Sequence, residues 1–284
     1  MGVLNLTPDS FSDGGLWTDP QRAVDHALQM LDEGADLLDL GAESTRPGGG
    51  VYGGGAATVP PEEEAARLLP VLQAVRRATG VPLSVDTRKA EVARRALDAG
   101  ADLINDVSSL GDLNGPGLGR AVAAAGCPLV LMHSRGELAT MQKDIRFDDL
   151  LAEVRSELAA AMDRAASCGV DEAQLVLDPG IGFGKTVAQN LALLGRLHEL
   201  AVLSRPLLVG ASRKSFLGKA VEQASRPAPA PQERLPGSLA AVAWAAARSA
   251  AIVRVHDVAA TVQFLAVWRA IAGQAGPEEK EAAG

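Results

Sequence analysis

Short apolar runs alternate with longer amphipathic stretches along almost the whole chain, and that alternation constrains the fold more than any single motif. The runs cover residues 2–4, 36–40, 81–85, 102–104, 128–132, 174–177, 206–209 and 251–255. They are short and mostly Leu, Val or Ile, as expected of strands buried on both faces. Between them, residues 21–33, 62–79, 89–99, 147–168, 187–201, 236–249 and 258–272 carry helical spacing. Strand, helix, strand, helix predicts an α/β fold with helices covering a parallel sheet. Eight strand runs predict a closed (β/α)8 TIM barrel in a single domain. An open doubly wound sheet is the alternative, but it usually has fewer strand–helix units.

The barrel is expected over residues 1–272, followed by a flexible acidic tail over 273–284. Residues 48–61, rich in glycine, and 225–232, rich in proline and alanine, read as loops within it. Hydrophobic residues make up 47% of the chain, enough for a sizeable core. A formal net charge of −8 argues against general nucleic-acid binding. Cys127 and Cys168 stand apart, and no Cys/His cluster suggests zinc. Two lone thiols fit a reducing compartment, and no basic segment with a following apolar one opens the chain. A cytoplasmic protein is therefore expected. No apolar run reaches the length of a membrane span, and no membrane partner is expected.

The predicted strands end in polar residues. The tips read Asn5; Glu43-Ser44-Thr45-Arg46; Asp86-Thr87-Arg88; Asn105-Asp106; His133; Asp178; Gly210-Ala211-Ser212-Arg213-Lys214; and Arg254-Val255-His256-Asp257. In such barrels the active residues cluster where the strands finish. Asp86, Asn105 and Asp178 suit the hydrogen-bonding edge of a flat nitrogen heterocycle such as a pterin or guanine. Lys214 could donate to a ring oxygen or nitrogen. Arg254 and His256 alternate along the last strand and share a face. With Asn5 and a metal ion they could hold a phosphate or pyrophosphate.

These motifs, in this order, resemble those of the dihydropteroate synthase family. The opening Gly2-Val3-Leu4-Asn5-Leu6-Thr7-Pro8-Asp9-Ser10-Phe11-Ser12-Asp13-Gly14-Gly15 is similar to that family's first signature, and Glu43-Ser44-Thr45-Arg46-Pro47-Gly48 to its second. Ser84-Val85-Asp86-Thr87, Ile104-Asn105-Asp106, Asp178-Pro179-Gly180-Ile181-Gly182-Phe183-Gly184-Lys185, Ser212-Arg213-Lys214-Ser215 and Arg254-Val255-His256-Asp257 complete the likeness. Three features depart from the family pattern: a short lead-in before Asn5, a long 48–61 loop, and Ser134-Arg135-Gly136-Glu137 after His133. For the first, we expect a truncated first strand or a start further upstream.

The resemblance implies a transferase that joins 6-hydroxymethyl-7,8-dihydropterin pyrophosphate to 4-aminobenzoate with Mg²⁺, in folate biosynthesis. It implies small-molecule substrates and a homodimer. The pterin would lie against Asp86, Asn105, Asp178 and Lys214, and Asn5 would ligate the metal. Asn5, Thr45, Arg254 and His256 would grip the pyrophosphate. Phe183, Lys214 and Ser215 would border the aminobenzoate. Thr45 and Arg46 would join Asp86 and Lys214 at the reacting centre, on a loop that closes together with residues 7–15. A pterin-dependent methyltransferase and an inactive scaffold barrel are the rival readings. The pyrophosphate grip disfavours the first, and the retained polar set disfavours the second.

Simpler roles exist for some of these residues. Asp86 and Asp178 could cap the segments that follow them. Asp106 reads as structural, and His133 as a satisfied histidine beneath the site. Gly184-Lys185-Thr186 mimics the end of a P-loop, but Pro179 stands where a glycine is required. Asn5-Leu6-Thr7 fits a glycosylation acceptor without a secretory signal to go with it.

Overall fold

The structure is a computed structural model that describes residues 1–7, 20–43, 59–111, 115–135, 145–224 and 226–274. Among these residues eight strands occur: β1 (Gly2–Asn5), β2 (Leu38–Gly41), β3 (Leu83–Asp86), β4 (Leu103–Asp106), β5 (Leu129–Met132), β6 (Leu175–Asp178), β7 (Leu208–Val209) and β8 (Ile252–Val253). All neighbouring pairs are parallel. Strands β1 to β6 form one continuous sheet, and β7 pairs with β8. Single bridges, Leu177 to Leu207 and Gly2 to Val255, join the two pieces on both sides. Val3 N donates to Val255 O at 3.1 Å and Leu177 N to Pro206 O at 2.9 Å, so the sheet closes into a (β/α)8 barrel.

The helices are α1 (Pro20–Asp32), α2 (Pro61–Ala78), α3 (Ala90–Asp98), α4 (Gly115–Ala125), α5 (Leu150–Ser167), α6 (Val187–Gly195), α7 (Ser215–Gln223), α8 (Leu235–Ala247) and α9 (Val258–Gln274). Alternation along the strands separates two apolar regions. Leu4, Leu38, Leu40, Leu83, Val85, Ile104, Leu129, Leu131, Leu175 and Leu177 face outward and pack with the helices in the main core. Their neighbours face inward. Met1, Val130 and Leu208 fill the lower barrel, with Leu37, Leu103, Val176 and Ile252 packed on them. Val107, Met132 and Phe183 form a small cluster at the strand ends.

All eight expected strands are present, within two or three residues of the expected limits. The helix pattern differs in four places. Helix α4 escaped the periodicity because glycine and proline crowd its first turns, Gly115-Pro116-Gly117-Leu118-Gly119. Helix α7 opens directly behind Lys214, inside a stretch that reads as site motif. The expected helix over 187–201 breaks after Gly195 and continues as the 3-10 segment Leu197–Leu203. Helix α9 extends to Gln274, two residues past the expected barrel limit. The tail beyond 274 and most of the 48–61 loop lie outside the described residues.

Candidate active site

Strand register sets the polar layer. Asn5 pairs with Gly41, Gly41 with Asp86, and Asp86 with Asn105, so these residues form one row across β1 to β4. Two residues further down, and therefore on the same face, Val3, Asp39 and Ser84 form the row beneath. Gly41 contributes no side chain; a Cβ there would stand 3.4 Å from the Asp86 Cβ. That absence keeps the space beside Asp86 open.

Asp39 is fully buried and sits under the row. Its Oδ2 accepts from Arg254 Nε at 2.6 Å and from Asn105 Nδ2 at 3.2 Å, and its Oδ1 accepts from the Ser84 hydroxyl. Arg254 Nη2 also donates to Asp86 Oδ2 at 3.2 Å. The guanidinium thus spans two carboxylates. Asp86 Oδ1 is buried and has no hydrogen-bond partner among the described residues. Burial pushes the Asp86 carboxyl up to about 8, against the pull of Arg254 and with the repulsion of Asp39 adding to it. An unpartnered acceptor in a buried site is costly, and a ligand N–H edge would satisfy it.

Asp178 ends β6 on the same mouth. Its Oδ1 accepts from Gly180 N at 2.7 Å, so part of its work is the local capping that a simpler reading allows. Burial raises its pKa, opposed by Lys214 first and Arg254 among the rest. Lys214 Nζ donates to Ile181 O and stands 4.4 Å from the Phe183 ring centroid. Phe183 is buried, whereas Ser215 is exposed at the first position of α7. Neighbouring Arg213 turns the other way, donating through Nε to Asp257 Oδ2 at 2.9 Å. His256 is half-buried, with Nδ1 3.1 Å from Ser212 Oγ.

The structure therefore brings Asn5, Asp86, Asn105, Arg254, Asp178, Lys214 and Phe183 to one end of the barrel, with His256 and Ser215 on the following turns. Thr45 and Arg46 lie outside the described residues, as do residues 8–19. Asp106 serves its own turn, accepting from Ser108 N at 2.8 Å and Leu110 N at 2.7 Å. His133 is buried between Lys185 and Glu157.

Two buried residues beside the site are not among the residues expected there from the sequence, Asp39 and Lys185. Asp39 carried a signal: one carboxylate within the apolar run Leu37-Leu38-Asp39-Leu40 can only face the barrel interior or break the strand. Lys185 ends the Asp178–Lys185 motif and belongs to the false P-loop, but neither assigns it a role.

The pterin binding enzyme family matches residues 1–256 of this chain. A dihydropteroate synthase of Synechocystis is 46% identical over 273 residues, covering 95% of this chain and 90% of that protein. The Yersinia pestis dihydropteroate synthase, solved as a sulfonamide drug complex, superposes with a TM-score of 0.88 at 43% identity, covering 96% of this chain and 94% of that one. The Xanthomonas albilineans dihydropteroate synthase, solved with 4-aminobenzoic acid, superposes with a TM-score of 0.84 at 46% identity, covering 98% and 93%. The chain belongs to the pterin binding enzyme family, among the dihydropteroate synthases.

Proposed function

We propose that this protein joins 6-hydroxymethyl-7,8-dihydropterin pyrophosphate to 4-aminobenzoate, releasing pyrophosphate and forming 7,8-dihydropteroate. The observation that carries this reading is the row Asp86–Asn105 facing Arg254, with the unpartnered Asp86 Oδ1 buried beside it. Acceptors for a heterocycle edge and a cation for a leaving anion share one cavity mouth. The Xanthomonas relative's bound 4-aminobenzoic acid supports the choice of amine.

In this reading Asp86, Asn105 and Asp178 take the pterin edge, and Lys214 donates to the ring. Arg254 and His256 hold the diphosphate, together with Thr45. The amine lies along Phe183 with its carboxylate at Ser215. The first amides of a helix lack intrahelical acceptors, so the start of α7 favours an anion there. The aromatic amine is neutral and nucleophilic at pH 7, so no protein nucleophile is required. The pterin–CH₂–O bond breaks as the diphosphate departs, and the amine nitrogen closes on the exocyclic carbon and then loses a proton. Asp178 stabilises the cationic ring that develops between these events, and so does Asp86 in its ionised form, which a ring N–H at Oδ1 favours. Thr45 and Arg46 cover the reacting carbon.

Mg²⁺ fits this site as an ion shared with substrate. Asn5 Nδ2 is buried without a hydrogen-bond partner among the described residues, and a half-turn of the amide presents Oδ1 in its place. No cluster of three or more His, Cys, Asp or Glu able to cage a metal occurs among the described residues. Mg²⁺ needs no such cage, since it keeps waters and takes phosphate oxygens. Asn5 would hold it, and its charge would offset that of the departing diphosphate.

The catalytic unit is the barrel itself, residues 1–272. It pairs as a homodimer through α8 and α9, where Trp244, Val262, Val267 and Ile271 are exposed on neighbouring helices. A cytoplasmic location agrees with folate synthesis; no described helix is long and apolar enough to cross a membrane. The test mixes protein, pterin pyrophosphate and Mg²⁺ with and without 4-aminobenzoate and follows pyrophosphate release. Release that depends on the amine supports transfer. Release without it means hydrolysis, and no release in either case sinks the reading.

A further inference from the structure

Lys185 closes the glycine-rich run after β6 and has no part in the reaction described above. It is buried, with Nζ 2.8 Å from His133 Nδ1 and 3.0 Å from the carbonyl oxygens of both Gly180 and Phe183. Three ammonium donors meet three acceptors, which is the condition for keeping such a group out of water. His133 Nε2 lies 3.0 Å from Glu157 Oε2 on α5. With Lys185 donating to Nδ1, the ring carries its own proton on Nε2 and donates it to Glu157. Burial and the nearby Lys185 push His133 down to about 4, which keeps the ring neutral in this role.

The segment that Lys185 grips, residues 180–183, is held from the other side by Asn190. Gly182 N donates to Asn190 Oδ1 at 2.6 Å, and Asn190 Nδ2 donates to Lys185 O at 3.2 Å. The same segment meets the amine side of the site. Ile181 O accepts from Lys214 Nζ, the Phe183 ring lies beneath that ammonium, and a Cβ on Gly182 would stand 2.8 Å from Lys214 Cδ. A shift of this segment would carry Phe183 with it and leave Lys214 without its carbonyl.

We propose, resting on the function proposed above, that Lys185 is a positioning residue for the aromatic-amine half of the site: it ties the 180–183 segment to His133 and so sets the stance of Phe183 and Lys214. The segment touches the pterin side through contacts to Asp178 and Lys214, from Gly180 N and to Ile181 O. The pterin-side groups Asp86 and Asn105 are held separately, by Arg254 and Asp39.

Lys185→Met tests this, because it removes the donors while keeping most of the length. The KM for 4-aminobenzoate should rise about tenfold and kcat should fall about ten- to a hundredfold, since a misplacement near 1 Å can cost that much. The KM for the pterin pyrophosphate should rise less, by about two- to threefold, because Asp86 and Asn105 are held elsewhere. A purely structural role would reduce the active fraction and leave both KM values alone, and that result overturns the proposal. So does an equal rise in both. If Lys185→Met does not fold, Lys185→Gln, which keeps two N–H donors, carries the same test, with a smaller split expected. Wild-type protein without turnover overturns the proposed function, and this inference with it. Active wild type with an unsplit variant overturns the inference alone.

Discussion

Arg254 Nε donates to Asp39 Oδ2 at 2.6 Å inside the barrel, although the two residues are 215 positions apart in the chain. Asp39 cannot reach solvent, and Arg254 shares its other face with Asp86. The pair therefore joins β2 to the end of β8 and keeps a cation in the site before any anion arrives. Removing one member of such a pair strands the other. Asp39→Ala should destabilise the protein by about 3–5 kcal/mol, and Asp39→Asn, which retains an acceptor, by less. Urea unfolding at neutral pH measures both. A loss below about 1 kcal/mol for Asp39→Ala would mean that Asp86 alone holds Arg254.

Asp178→Asn probes the pterin anchor. The amide replaces one carboxylate oxygen with a donor, which would face a ring N–H. A hydrogen bond to a charged group contributes about 1.5–3 kcal/mol, so pterin affinity should weaken roughly ten- to a hundredfold. Calorimetric titration with 6-hydroxymethylpterin reads this directly. Near-wild-type affinity and turnover would remove Asp178 from the site.

Much of this arrangement is legible in the sequence, for a physical reason. Strands buried on both faces must be apolar, so the polar residues that end them stand out. Asn5, Asp86 and Asp178 are each the last residue of a strand. Asp39 and Lys185 are less visible because barrel closure brings Arg254 to the first, and the pairing of β5 with β6 brings His133 to the second. Helix α4 was hidden for another reason: its glycines lower intrinsic helix propensity, and its formation depends on packing against α3. The 187–201 stretch keeps its hydrophobic spacing past Gly195, so periodicity alone cannot show where the chain changes to 3-10 geometry.

The burial of His133 gives the fold an acid sensitivity with a definite sign. Burial pushes His133 down to about 4 in the folded state, from an ordinary value near 6.5. The unfolded chain therefore binds more protons between those values, and stability contributed by neutral His133 is lost as pH falls through that window. From pH 7 to pH 5 the loss amounts to about 2 kcal/mol. Asp86, pushed up to about 8, acts with the opposite sign, because its folded state holds a proton that the unfolded state releases. Comparison with His133→Asn separates the two. The stability advantage of wild type over the variant should shrink by about 2 kcal/mol between pH 7 and pH 5 in paired urea titrations. An advantage independent of pH would mean that the imidazole is not held neutral.

Gly180 and Gly126 separate backbone strain from steric contact. Both are left-handed, with φ of +66° and +65°. A Cβ on Gly126 meets nothing within 4 Å, whereas one on Gly180 would lie 1.8 Å from His133 O. Gly126→Ala should cost about 1–2 kcal/mol, the usual penalty for a side chain in this conformation. Gly180→Ala carries the same penalty and must also push the 180–183 segment off β5, breaking the Lys185 and Asp178 contacts to Gly180. Its melting temperature should fall well below that of Gly126→Ala, and its amine-dependent turnover should be lost. Equal melting temperatures would show that the segment can move away from His133 without cost. The close approach of β5 and β6 would then have no part in shaping the amine side of the site.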